Sequence, residues 1–301
     1  MDERDGKKTN MTENLQRLTF LYRGPLSFCN YSCEYCPLTK TEFDPKILDH
    51  DKKELARFVS HIEQNRHPEL TIAFIPWGEA LVYEHYREAI IRLSQLPSIR
   101  MIVIQTNLSM MPDWVQFCDS EKVSFWCSFH PTQTTVDGFL DRVAALDSQS
   151  VSYCVGAVGH DEYFDTYQTL REKLSRDKYL WVNPLNDDIE AYCDADVEKW
   201  SKIDPLFPLV TRNRFTKGTA CRCGKSVFTI GEKGEIRRCP FTKRVLGNLY
   251  ETDIPSTSEP CPNEQCNCFI GYIHWESESF RMKYGNNPIQ RIAQSGNKFT
   301  F

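Results

Sequence analysis

Cys29-Asn30-Tyr31-Ser32-Cys33-Glu34-Tyr35-Cys36 places three thiols within eight residues, directly behind the apolar run Leu18-Thr19-Phe20-Leu21-Tyr22, which reads as a β-strand. A four-iron cluster is normally held by four cysteine thiolates. This loop supplies three. One metal corner is then left for a small molecule, and an open coordination position is what separates a reactive metal centre from a structural one. The competing reading is a zinc knuckle, which closes with CxxC pairs and a nearby fourth ligand. The next candidate ligand is His50, fourteen residues past Cys36.

Outward from the loop, helical and strand periods alternate. Leu55, Phe58, Val59 and Ile62 recur at i, i+3, i+4 and i+7 and predict a helix near 51–64, capped at Asp49 or Asp51. A second strand at 70–75 runs into Pro76-Trp77-Gly78-Glu79, ahead of a helix with Tyr86, Ala89, Ile90 and Leu93 on one face. The rhythm repeats in strands at 100–104, 122–127, 151–158 and 179–182, which end at Thr106-Asn107, Ser128-Phe129-His130, Gly159 and Asn183-Pro184. Helices are expected near 112–118, 135–146 and 161–175. Six strands alternating with helices imply parallel pairing through right-handed crossovers, and strands apolar on both faces suit a buried parallel sheet or barrel. Ligands in such folds gather where the strands end. Alternation along the fourth strand sets Trp126, Ser128 and His130 on one face and Cys127 on the other.

Past about residue 190 this rhythm is expected to stop. Cys221-Arg222-Cys223-Gly224 precedes two short strands, Val227-Phe228-Thr229-Ile230 and Ile236-Arg237-Arg238-Cys239, joined by a turn with glycines at both ends. A hairpin brings cysteines at its ends together. Cys261, Cys266 and Cys268 follow, so six of the thirteen cysteines lie between residues 221 and 268. The tail beyond Phe269 is expected to contain a short helix ending near Gly285.

Composition narrows the class. The formal net charge of −5, from 36 Lys plus Arg against 41 Asp plus Glu, argues against a duplex-DNA binder, which needs a basic face. No run of eighteen apolar residues is present, which argues against a membrane span. Residues 1 to about 15 are charged and polar, without the apolar stretch of a secretory signal, and are expected to be a flexible tail. Thirteen cysteines without an export signal point to a reducing, cytoplasmic setting, where clustered cysteines bind metal. The scattered Cys118, Cys127, Cys154 and Cys193 read as small buried hydrophobes.

The CxxxCxxC spacing, with Tyr35 directly before its last cysteine, resembles the signature of the radical S-adenosylmethionine (SAM) superfamily. The resemblance implies that Cys29, Cys33 and Cys36 hold a [4Fe-4S] cluster whose open iron binds SAM. The reduced cluster then splits SAM to a 5′-deoxyadenosyl radical that takes a hydrogen atom from substrate, chemistry carried by the cofactors and positioned by the protein. It implies an α/β fold, a partial (βα)6 TIM-like barrel, here over residues 16–190. Tyr35 would pack near the adenine. Trp77-Gly78-Glu79 is similar to the family's Gly-Gly-Glu motif, with Trp77 at its first glycine, which implies that Gly78 and Glu79 receive the amino group of SAM by a charge-assisted hydrogen bond. Ser128 resembles the residue that touches the ribose; Asn107, Gly156 and Gly159 would complete the pocket.

Residues 191–301 look like a small auxiliary-cluster domain of the SPASM or twitch kind, including Leu246-Gly247-Asn248-Leu249. A full SPASM domain holds two clusters on a longer cysteine series. Cys221, Cys223, Cys239, Cys261, Cys266 and Cys268 suffice for one four-iron cluster with two thiols to spare, so a single twitch-like cluster is expected. Cys221 and Cys239 fit best. Whether Cys223 replaces or accompanies Cys221, and which two of the last three bind, stays open. A structural zinc ribbon is the competing reading. The resemblance further implies a flavodoxin or ferredoxin as electron donor and a peptide or small-molecule substrate. The roughly seventeen residues ahead of the first strand weigh against a leader-peptide recognition domain. An RNA-modifying enzyme and a non-catalytic zinc-stabilised module are the alternatives, the former kept by basic patches such as Arg237-Arg238.

Overall fold

A computed structural model of the chain describes residues 17–36, 41–65, 67, 69–185, 192–211, 214–255 and 257–266. The expected N-terminal tail, the expected C-terminal helix and Cys268 lie outside the described residues. Six parallel strands follow one another in order across the sheet: β1 (Thr19–Tyr22), β2 (Leu70–Phe74), β3 (Ile99–Thr106), β4 (Val123–Ser128), β5 (Ser152–Gly159) and β6 (Leu180–Pro184). The connecting helices are α1 (Pro45–Gln64), α2 (Glu84–Ser94), α3 (Val136–Ser148) and α4 (Phe164–Lys173), with a 3-10 turn at Asp113–Phe117 in place of the expected short helix.

Two expectations about helices are corrected. Helix α1 begins six residues earlier than its apolar stripe suggests: Asp44 caps it by accepting from Lys46 N at 2.8 Å, and Pro45 occupies the first turn, where its missing N–H is harmless. The chain also stays helical past residue 190, in α5 (Asp194–Ser201) and α6 (Phe207–Val210). Trp200 of α5 is the anchor, packed against Tyr167 and Phe164 of α4.

Alternate strand residues face the helices. Tyr22 meets Phe58 of α1 at 4.5 Å between ring centroids, Phe74 meets Tyr86 of α2 at 6.1 Å, and Phe125 meets Trp114 at 6.2 Å. Leu55, Phe58, Val59 and Ile62 of α1 are fully buried, each contributing about 2 kcal/mol by leaving water. The other sheet face carries Leu21, Ala73, Val103, Trp126, Gly156 and Trp181 by register. There the indoles of Trp126 and Trp181 stack at 4.6 Å and 9°.

The C-terminal hairpin extends this sheet rather than standing apart from it. β7 (Val227–Ile230) pairs in parallel with β1, while β8 (Glu235–Arg237) and β9 (Val245–Asn248) add antiparallel strands, giving nine strands among the described residues. Pairing of strands some 200 residues apart carries no local sequence signal, so the sequence pattern indicates the hairpin alone.

Asp51, expected as a cap, is instead a buried mid-helix carboxylate. It accepts from Leu26 N at 3.1 Å and Tyr86 Oη at 2.9 Å, and pairs with His85 Nε2 at 2.8 Å. It therefore ties α1 and α2 to the segment that leads into the cysteine loop. Asp51→Ala is expected to lose about 3 kcal/mol, because three buried or half-buried polar groups lose their acceptor. A lowered urea midpoint would register this, and an unchanged midpoint would contradict it.

Candidate active site

The cysteine loop is seated on the turn after β2 by backbone pairing that runs past both strand ends. Trp77 donates its N–H to Leu26 O at 3.2 Å, and Glu79 donates to Phe28 O at 3.3 Å. Between them Gly78 lies flat against Phe28. A Cβ at Gly78 would stand 1.9 Å from the Phe28 carbonyl oxygen, so the close approach admits glycine alone. Trp77, standing where the resembling motif has a glycine, turns its ring outward, 40% exposed, beneath the Arg23 guanidinium at 4.3 Å.

Within the loop Cys29 is exposed, Cys33 buried and Cys36 half-buried. Although Cys29 is exposed as a residue, partial desolvation of its sulfur raises the pKa of the thiol, the Tyr31 N–H on that sulfur opposes the rise, and Glu79, Cys33 and Cys36 add to it. Cys33 and Cys36 thus both lie within the field of the Cys29 thiol.

Glu79 is buried, with 4% of its surface exposed. Its Oε1 accepts from Leu81 N at 3.0 Å and Thr106 Oγ1 at 2.7 Å, and its Oε2 accepts from Asn107 N at 2.6 Å. Burial raises its pKa, against the pull of these three donors. A carboxylate offers about four lone-pair sites, so roughly one remains for any further donor. Asn107 turns its side chain to the cysteine loop, with Nδ2 3.6 Å from Cys29 Sγ and 3.0 Å from Asn30 Oδ1.

Tyr35 reaches the loop after β4. Its hydroxyl lies 3.3 Å from His130 Nδ1, and the two rings are nearly parallel at 5.9 Å. His160 and Tyr163, from the turn after β5, stand 6.2 and 6.1 Å away and extend the aromatic patch. Burial raises the Tyr35 phenol, keeping it neutral. Ser128 ends β4 opposite Gly156 of β5. A Cβ on Gly156 would meet Trp126 Nε1 at 2.3 Å, so the flat ring lying over this glycine is the chain's own indole. Gly159 closes β5, where its carbonyl accepts from Tyr192 Oη at 2.6 Å.

The fold therefore gathers Gly78, Glu79 and Asn107 around Cys29, sets Tyr35 on His130, and puts Ser128 beside Gly156. Sequence reading missed Asn30, Thr106, Ser109 and His160 as members of these groups. Each is a polar residue at a strand end or in the motif loop itself, which is the signal that could have found them.

The second cysteine group is assembled by β7, β8 and a short ladder between 214–219 and 261–266. In that ladder Gly218 N donates to Cys261 O and Cys261 N to Thr219 O, each at 2.9 Å, and Cys266 N donates to Arg214 O at 3.1 Å. Cys221 and Cys223 are buried; Cys239, Cys261 and Cys266 are half-buried. Burial raises the Cys239 thiol, N–H and hydroxyl contacts from Phe241 and Thr242 oppose it, and Cys261 and Cys221 add to the rise.

The two groups lie at opposite ends of the same strands. Cys223 precedes β7 and Cys239 follows β8, at the end where Thr19 begins β1, whereas Cys29 lies beyond the other end of β1. Three residue steps from Thr19 to Tyr22, at roughly 3.3 Å each, already set them about 10 Å apart.

Among the described residues no three His, Cys, Asp or Glu side chains converge as the shell of a single metal ion. A cubane asks for something else, because each thiolate takes a separate iron. Three neighbouring thiols in one loop, with N–H groups already on the Cys29 sulfur, fit such a cluster. Among the described residues no helix is long and apolar enough to cross a membrane.

No protein-family model matches the sequence, and no curated protein matches it. Solved structures do. Native anSMEcpe with bound AdoMet and the Cp18Cys peptide is 16% identical with a TM-score of 0.53, covering 78% of each chain. A histidine-tagged anSMEcpe with bound AdoMet gives the same identity and TM-score, over 78% of this chain and 76% of that one. The likeness is one of fold: this chain shares the mostly parallel α/β architecture of those AdoMet-bound structures.

Proposed function

We propose that the chain is a radical SAM enzyme that reductively cleaves S-adenosylmethionine and abstracts a hydrogen atom from a peptide or small-molecule substrate. The observation that carries this reading is the three-cysteine loop off β1, seated on the glycine turn off β2 in a fold that binds AdoMet in similar structures. When bound, the cluster supplies the electron that breaks SAM into methionine and a 5′-deoxyadenosyl radical. Cys29, Cys33 and Cys36 hold that cluster. Tyr35 and Ser128 line the adenosine side. Gly78 and the remaining acceptor site of Glu79 face the amino group. A flavodoxin or ferredoxin delivers the electron.

Residues 191–301 serve in this reading as an auxiliary region holding one further [4Fe-4S] cluster, drawn from Cys221, Cys223, Cys239, Cys261, Cys266 and Cys268. Its support is that strand pairing sets Cys223 and Cys239 at the same far end of the strands, with Cys221 beside Cys223 and Cys261 paired to Thr219. An acceptor there suits oxidation or cross-linking of a substrate lying between the two ends.

Anaerobic reconstitution with iron and sulfide, followed by reductant and SAM, tests both statements. About eight irons per chain and release of 5′-deoxyadenosine are expected. Cys239→Ala is expected to keep about four irons and uncoupled SAM cleavage while losing substrate turnover. Four irons in the unaltered chain would remove the auxiliary cluster, and bound zinc without cleavage would favour a zinc-stabilised module.

A further inference from the structure

The structure assigns to Asn107 a role other than contact with SAM: we propose that its amide N–H donates to the sulfur of Cys29 and raises the reduction potential of the cluster at this loop, with Glu79 as the positioning residue that aims it. The inference rests on the reading of the cysteine loop as a cluster site. Its geometry does not depend on any bound group. Asn107 Oδ1 accepts from Ser109 N at 2.9 Å, which fixes the amide so that Nδ2 faces Cys29 Sγ at 3.6 Å and Asn30 Oδ1 at 3.0 Å. Asn30 in turn donates from Nδ2 to Ser109 Oγ at 3.0 Å, closing the ring of contacts.

The backbone beneath is held from the other side. Glu79 accepts from Asn107 N and Thr106 Oγ1, and the same Thr106 oxygen accepts from Leu108 N at 2.9 Å. Leu108 sits at φ +50, a conformation that a branched, fully buried residue adopts only when its surroundings dictate it. A strained residue, an enclosed carboxylate and a locked amide therefore converge on one N–H···S contact. Reduction adds negative charge to the cluster and its sulfurs, and an N–H dipole aimed at a sulfur favours that state; hydrogen bonds to sulfur are among the known determinants of cluster potential.

The test is an EPR-monitored redox titration of the reconstituted full-length chain, following the signal that Cys33→Ala lacks. At the potential where the unaltered protein is half reduced, Asn107→Leu is expected to lower the reduced-to-oxidised ratio about tenfold, a shift of about 59 mV to more negative potential. Asn107→Asp keeps the shape and the Ser109 contact but turns an oxygen toward the sulfur. It is expected to shift further in the same direction, and it serves if the leucine variant folds poorly. Glu79→Gln alters a charge that Cys29 feels as well as the aim, so the two Asn107 variants alone decide the proposal. Unchanged midpoints in both Asn107 variants, with iron bound, would overturn the proposal. Absence of any Cys33-dependent signal in the unaltered chain would overturn the cluster reading beneath it, and the proposal with it.

Discussion

Cys33→Ala is expected to abolish release of 5′-deoxyadenosine from SAM and to lower the iron content by about four per chain. Cys33 is the buried member of the triad, so its sulfur is committed to the interior of the loop, with Cys36 N donating back to its carbonyl at 3.3 Å. A cluster that already lacks one protein ligand has no spare. Losing a second leaves two thiolates and opens two corners, which removes both retention of the metal and the single defined site for SAM. The fold should survive, since deleting one sulfur atom from a buried site removes about 1 kcal/mol. Iron analysis, a urea melt of the metal-free chain and a chromatographic assay for 5′-deoxyadenosine separate these effects. Cleavage at the unaltered rate would show that the loop does not hold the reacting cluster.

Gly78→Ala is expected to be nearly as damaging by a different route. The added methyl would stand 1.9 Å from Phe28 O, 2.6 Å from Phe28 C and 2.9 Å from Phe28 N, all main-chain atoms with no rotamer to escape into. Relief requires Phe28, and Cys29 after it, to lift off the turn, breaking the flanking bonds from Trp77 and Glu79. Such overpacking costs about 3 kcal/mol, and the displaced loop should fail to retain its iron. The metal-free variant should melt at lower urea than the unaltered chain, and the reconstituted variant should lack the Cys33-dependent iron. A variant with the unaltered midpoint and full iron content would mean that the turn does not seat the loop.

The parts of this molecule that sequence reading reached are those written in short-range patterns. The strand ahead of Cys29, the stripe of Leu55, Phe58, Val59 and Ile62, and the six-fold strand–helix rhythm all reappear in the fold, with α1 lengthened because a polar first turn capped by Asp44 carries no apolar period. Glycine at 78 stands out as part of a motif, but its reason, the Phe28 carbonyl pressed against it, is a contact between segments fifty residues apart in sequence. Glu79 shows the same limit. Its type and place suggest a free acceptor, whereas two of its donors come from Thr106 and Asn107 at the end of β3. The placement of the two cysteine groups at opposite ends of β1 follows from the β1–β7 pairing, which nothing local encodes. Trp126, whose indole fills the space over Gly156, belongs to the strand its pattern indicates, but that pattern does not name this neighbour.

The most direct measurement is the EPR spectrum of the reduced, reconstituted chain recorded with and without SAM. If Cys29, Cys33 and Cys36 leave one iron open, SAM must alter the Cys33-dependent signal, and only that signal. A Cys33-dependent signal indifferent to saturating SAM, in a protein that releases no 5′-deoxyadenosine, would contradict the account.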